Sequence, residues 1–180
     1  MAKVNKHSPF GAESLEEAAL SYVARYATTQ AKLERYLSRK LRERGWGEEG
    51  EPPVGAIAGR MVEAGYVDDA AFAQARSGSL LRRGYGARRI DQALFQAGVG
   101  EAVSQDVAPG EGEARRAALI LARRRGFGPF GCEPLDEKRR EKQIAAMLRA
   151  GHSFAAARAI IDAGDEMRAE AWVAEAEDEI

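Results

Sequence analysis

Leu37-Ser-Arg-Lys-Leu41-Arg-Glu-Arg-Gly45 sets the reading of this 180-residue chain. Two leucines four residues apart share one helix face, and a glycine four further on readily takes the left-handed conformation that ends a helix. The frame returns as Ile90, Leu94 and Gly98, and again as Gln143, Met147 and Gly151, so the glycines stand twice at a spacing of 53. In the third copy the frame has slipped, and Ile144 is expected to take the buried place in front of Met147. Upstream of each copy lies another helix (Ser14 to Ala27, Asp68 to Arg83, Glu111 to Arg125), and downstream a shorter one (Val54 to Ala64, Glu101 to Val107, Phe154 to Ala163). None of these helices can bury a core alone. The pattern predicts three tandem three-helix repeats, stacked so that each covers its neighbour.

End signals place the elements. Ser14-Leu15-Glu16-Glu17 reads as a capping box, Thr28 or Thr29 caps the second helix, and Pro53 precedes the third, which Gly65 stops. Asp68 or Asp69 opens the fourth, which ends at Gly84, and Gly86 opens the fifth. The expected divisions are a disordered tail over 1–13, repeats over 14–66, 67–108 and 109–163, and an acidic C-terminal helix over 164–180. Within the third repeat, the glycine- and proline-rich loop 126–135 reads as a mobile surface segment. In the last helix Ala169, Trp172, Val173, Ala176 and Ile180 fall on one face.

Composition agrees with an all-α fold. Valine, isoleucine and threonine total 18, against 35 alanines, so residues that suit a pleated sheet are scarce. With 31% charged residues and a mean hydropathy of -0.42, no apolar run is long enough to span a bilayer or serve as a secretory signal. The expected setting is the cytoplasm, without a membrane partner.

The net charge of -1 hides a division. Residues 162–180 carry eight acids and one base, a balance of -7, which leaves +6 for the rest. From Arg76 to Ile90 stand Arg76, Arg82, Arg83, Arg88 and Arg89 with no acid. A second cluster is Arg115, Arg116, Arg123, Arg124 and Arg125, and a third is Lys138, Arg139, Arg140 and Lys142. Arginine is also a good helix former, but five in fifteen residues without an acid repel one another unless a polyanion relieves them. These fourteen residues are the candidate binding surface. Tyr85, inside the first cluster, suits either base stacking or packing on its own helices. No recognition helix rich in Asn and Gln is evident, so sequence-specific DNA reading is weakly supported.

Catalysis finds no constellation. Gly84-Tyr85-Gly86 lacks the preceding strand and the following Gly-Lys-Ser/Thr of a phosphate loop and reads as a turn. Asp68 and Asp69 read as cap and dipole partners. Cys132, the single cysteine, has only His152 as a conceivable activating base and no third group, while His152 reads as a partly packed structural residue beside a helix stop. A structural metal, a cofactor and a disulfide are not expected.

Met61-Val-Glu-Ala-Gly-Tyr-Val-Asp-Asp-Ala-Ala-Phe-Ala73 resembles the signature of the RecX regulators of the bacterial recombinase RecA. Arg82-Arg83-Gly84-Tyr-Gly-Ala-Arg88-Arg89-Ile90 is similar to that family's basic turn, with Ala87 where a proline is common. Ala18 to Gly45 looks like its first helix pair, and Lys142 to Ile161 like its closing repeat. The likeness covers about residues 14–163, leaving the loop around Cys132 and the acidic tail outside it. It implies three-helix repeats in an elongated, curved stack and a non-enzymatic protein, taken here as a monomer. Such a protein binds the RecA filament on single-stranded DNA and most often inhibits it, in DNA repair, recombination and the SOS response. The basic clusters are then the filament and DNA face. The competing class is a helical DNA-binding protein acting on nucleic acid directly, without a recombinase partner.

Overall fold

The computed structural model describes residues 8–132 and 135–176. Among them it contains ten α-helices and one short 3-10 turn, and the only strand-like pairing is an isolated bridge between Phe10 and Trp46. The all-α expectation holds. The helices are α1 (Ala12–Val23), α2 (Gln30–Arg44), α3 (Val54–Glu63), α4 (Asp69–Arg82), α5 (Ala87–Ala97), α6 (Glu101–Asp106), α7 (Glu111–Arg125), α8 (Glu137–Arg149), α9 (Phe154–Ile161) and α10 (Glu166–Glu175).

Contacts divide the chain into two compact units: the described residues up to Phe72 with Ala97–Gly100, and Ala73–Gln96 with the described residues from Glu101 onward. In the first unit α1, α2 and α3 pack on one another around Leu15, Leu33, Leu37, Ile57 and Met61. Fully burying each such side chain contributes about 1.5–3 kcal/mol, and alanines at Ala19 and Ala58 let the backbones approach. Thr29 caps α2 by accepting from Lys32 N–H and donates its own hydroxyl to the Ala97 carbonyl at 2.6 Å. Asp68 caps α4 through Ala71 N–H, whereas Asp69 reaches away to accept from Gln30 N–H at 2.9 Å, satisfying an orphan donor of α2.

The start of α1 differs from expectation. Gly11, not Ser14, is the N-cap; Ser14 sits at the third helical position and exchanges hydrogen bonds with the Gly11 backbone, and Glu48 accepts from Ala12 N–H. Residues 8–13, expected within a disordered tail, are therefore ordered. Phe10 is buried beneath the Arg44 guanidinium, 3.8 Å from its ring centre, and its backbone bonds Gly45 and Gly47. The rest of that expected tail lies outside the described residues.

In the second unit α7 runs through the core, with Ala118, Leu121 and Ala122 against Met147, Ile160, Ile161, Ala169 and Val173. Of the loop 126–135, expected to be mobile, residues 126–130 are packed instead, Gly131, Cys132 and Leu135 are exposed, and 133 and 134 lie outside the described residues. Gly126 ends α7 in the left-handed conformation, Gly128-Pro129-Phe130 forms the 3-10 turn, and Phe127 and Phe130 pack on the core. Gly128 lies so close to the Ile160–Ile161 backbone that a Cβ would stand 2.8 Å from Ile161 Cα. Gln143 and Ile144 are both buried, and Gln143 Oε1 accepts from Gly128 N–H at 2.8 Å, which accounts for a polar residue in the slipped frame.

Candidate polyanion-binding surface

The first arginine cluster flanks the Gly84-Tyr85-Gly86 turn, and the backbone of that turn is clamped. A Cβ on Gly84 would meet Leu121 N at 2.8 Å, and one on Gly86 would meet the Gly151 carbonyl oxygen at 2.4 Å. Gly86 N–H donates to the Ala150 carbonyl and Arg88 N–H to the Gly151 carbonyl. Beneath the turn His152 is buried with Nε2 3.0 Å from the Gly84 carbonyl oxygen, so the neutral tautomer protonated at Nε2 donates there. Burial depresses its pKa, the Gly84 hydrogen bond opposing it. His152 is thus wholly rather than partly packed, occupying the position after a glycine stop where Val99 is also buried.

From this clamped turn Arg82, Arg83, Arg88 and Arg89 extend into solvent, with Arg76 exposed on α4. Arg83 lies over the Tyr85 ring at 5.3 Å, and Arg89 donates to Gln92 Oε1 at 2.7 Å. Tyr85 is half-buried, so it is placed by packing as well as by its arginine neighbour. Among the described residues no acid pairs with Arg76, Arg82, Arg83 or Arg88.

The second and third clusters divide. Arg115 is half-buried: it pairs with Glu111 at 2.7 Å, donates to the Trp172 carbonyl at 2.7 Å and covers the Trp172 ring at 4.6 Å. Arg123 pairs with Glu170. Both thereby fasten α10 to α7. Arg140 makes a two-pronged pair with Asp162 at 2.6 and 2.5 Å, holding that carboxyl below the usual carboxylate range. Arg116 borders a small recess with Arg82, Gly78 and Ile120. Arg125, Arg139 and Lys142 converge on another cavity, described below. Arg124 and Lys138 are exposed. What sequence reasoning missed is these tertiary partners, for the acids that engage Arg123 and Arg140 lie 47 and 22 residues away.

Cys132 is exposed and His152 is committed to Gly84, so they form no nucleophile and base pair. Among the described residues no acidic, histidine and cysteine group is arranged for a metal, and no helix is long and apolar enough to cross a membrane.

The distinguishing surface of this all-helical chain is the cationic one around the Gly84-Tyr85-Gly86 turn. Residues 68–107 match the family model described as RecX, second three-helix domain. The regulatory protein RecX of Myxococcus xanthus is 39% identical over 158 residues, covering 82% of this chain and 84% of that one. That of Agrobacterium fabrum is 34% identical over 130 residues, 70% of each. The crystal structure of RecX from Lactobacillus salivarius superposes with a TM-score of 0.66 at 17% identity, over 83% of this chain and 94% of that chain. A second RecX crystal structure gives 0.60 at 21% identity, over 83% of this chain and 70% of that one. The chain belongs to the RecX family.

Proposed function

We propose that this protein binds the RecA filament on single-stranded DNA and restrains its ATPase and recombinase activity, acting stoichiometrically as a cytoplasmic monomer without chemistry of its own. One observation carries the reading: Arg82, Arg83 and Arg88, with no acidic partner among the described residues, flank a turn whose backbone is locked against α7 and the α8–α9 corner. Cations held on a fixed scaffold lose little order when they meet a charged partner, so the attraction is not offset by immobilising a loop. The three-helix repeats over 14–66, 67–108 and 109–163 are part of this proposal, as the scaffold that holds the basic turn.

The test adds the protein to RecA on single-stranded DNA and follows ATP hydrolysis, with DNA binding by the protein alone measured in parallel. Inhibition at amounts far below those that coat the DNA supports filament modulation. Inhibition only at coating amounts transfers the function to direct nucleic-acid binding. Unchanged hydrolysis at every ratio removes the proposal. Arg82→Glu with Arg83→Glu, both exposed, should relieve inhibition without unfolding the chain.

A further inference from the structure

Behind the α7 terminus lies a cavity of about 450 Å³, lined by Arg125, Gly126, Phe127, Cys132, Arg139, Lys142 and Gln143 among others. Its volume falls in the range of small-molecule sites. Arg139, Lys142 and Gln143 are spaced three and four residues apart on α8, so one helix face delivers two cations and an amide to the same space. Arg125 comes from the last turn of α7.

Gln143 gives the cavity its direction. The side chain is 9% exposed, and its Oε1 is held by the Gly128 N–H, which fixes which end of the amide carries the oxygen. Its Nε2 pairs with no described residue and yet is not sealed from solvent, and Gln143 is one of the residues that line the cavity. Part of the lining is firm, because Phe127 packs on the core and the adjoining Gly128 is pressed on the Ile160–Ile161 backbone. Among the described residues neither Arg125 nor Lys142 has an ion-pair partner. Like charges thus converge on a preformed hollow that also offers a buried neutral donor. An anion with several acceptor oxygens matches that donor set, and arginine and lysine together are a recurrent phosphate pair.

We infer that this cavity is a phosphate-binding site, taking the phosphoryl group of a free anion or nucleotide, or a single phosphodiester of nucleic acid. It goes beyond regulation of RecA and does not depend on it. The site uses cations other than those of the Arg82 turn, and its test contains no recombinase.

Cys132 lines the cavity and is the chain's one cysteine, so its thiol serves as the reporter. The full chain is reacted with a neutral dipyridyl disulfide in inorganic phosphate, in chloride of equal ionic strength, and with a short oligothymidylate. Occupancy predicts a several-fold slower reaction in phosphate or oligothymidylate than in chloride. Arg125→Ala with Lys142→Ala, two exposed positions, abolishes the slowing while the helical circular dichroism is unchanged. Slowing by inorganic phosphate assigns the site to free anions, and slowing by oligothymidylate alone assigns it to a phosphodiester. Equal rates in all three solutions, or slowing that survives in the double variant, overturns the inference. Broadening of the phosphate phosphorus-31 resonance by the wild type, but not the double variant, is the independent readout; its absence in a protein that oligothymidylate protects fits the phosphodiester assignment.

Discussion

Gly86 and Gly151 meet backbone to backbone, and no other residue type fits at either place. A Cβ on Gly86 would lie 2.4 Å from the Gly151 carbonyl oxygen, while Gly151 combines a φ of +97° with a Cβ position 2.4 Å from Arg89 N. Gly86→Ala should therefore destabilise the fold by about 2 kcal/mol or more, read from urea denaturation. Gly59, inside α3 with nothing within 4 Å of a Cβ, is the contrast. Gly59→Ala should stabilise by about 0.5–1 kcal/mol, as the helix loses one of its two glycines. His152 completes this corner. Burial holds its imidazole below the ordinary value of about 6.5, so the unfolded chain takes up a proton over a range where the folded chain does not. Stability is full above that ordinary value and declines as pH falls toward the lowered folded pKa, where the decline ends. The melting temperature should drop between about pH 7.5 and 5.5, and the His152→Gln variant should show a flatter dependence over the same window.

At the scale of elements, α10 is the piece with two readings: a cap on the last core, or an acidic competitor for the basic surface. Ala169 and Val173 are buried in the core around α7, and Arg115 lies over Trp172, which supports the cap. Removing residues 165–180 should lower the melting temperature by exposing that core. Tighter DNA or filament binding with an unchanged melting temperature would instead assign the tail to competition. Helix ends are legible in the sequence where the signal is local: of the alternatives Thr28 or Thr29 and Asp68 or Asp69, Thr29 and Asp68 each accept from an amide three residues on. The start of α1 is not, because Glu48, 36 residues away, supplies a hydrogen bond that favours Gly11 as the cap. The same limit applies to the surface. The arginine run at 82–89 could be read from spacing alone, whereas the engagement of Arg115 by Trp172, or the convergence of Arg125 with Lys142, depends on which helices pack together. The order of the segment after α7 likewise comes from Gln143 and Ile161, which no local rule connects to Gly128.

For the whole molecule, the net charge of -1 is a poor guide to what a polyanion meets, since the surface is divided between an acidic terminus and a body of opposite sign. α10 turns part of its acidity inward, with Glu170 on Arg123 and Glu175 3.8 Å from Arg115, and Asp162 holds Arg140, so at least three of the fourteen candidate cations are already partnered. Salt dependence measures the remainder. Each phosphate neutralised on single-stranded DNA contributes about -0.7 to the slope of log K against log salt. If Arg82 and Arg83 each engage one phosphate, Arg82→Ala with Arg83→Ala should make the slope shallower by roughly 1.4 in all. Arg25→Ala, an exposed change in the first unit, should leave it unaltered. Fluorescence anisotropy of a labelled oligonucleotide over a salt series checks both. A double variant that keeps the wild-type slope and DNA affinity, yet no longer inhibits RecA, would assign the two arginines to an acidic protein face rather than to DNA.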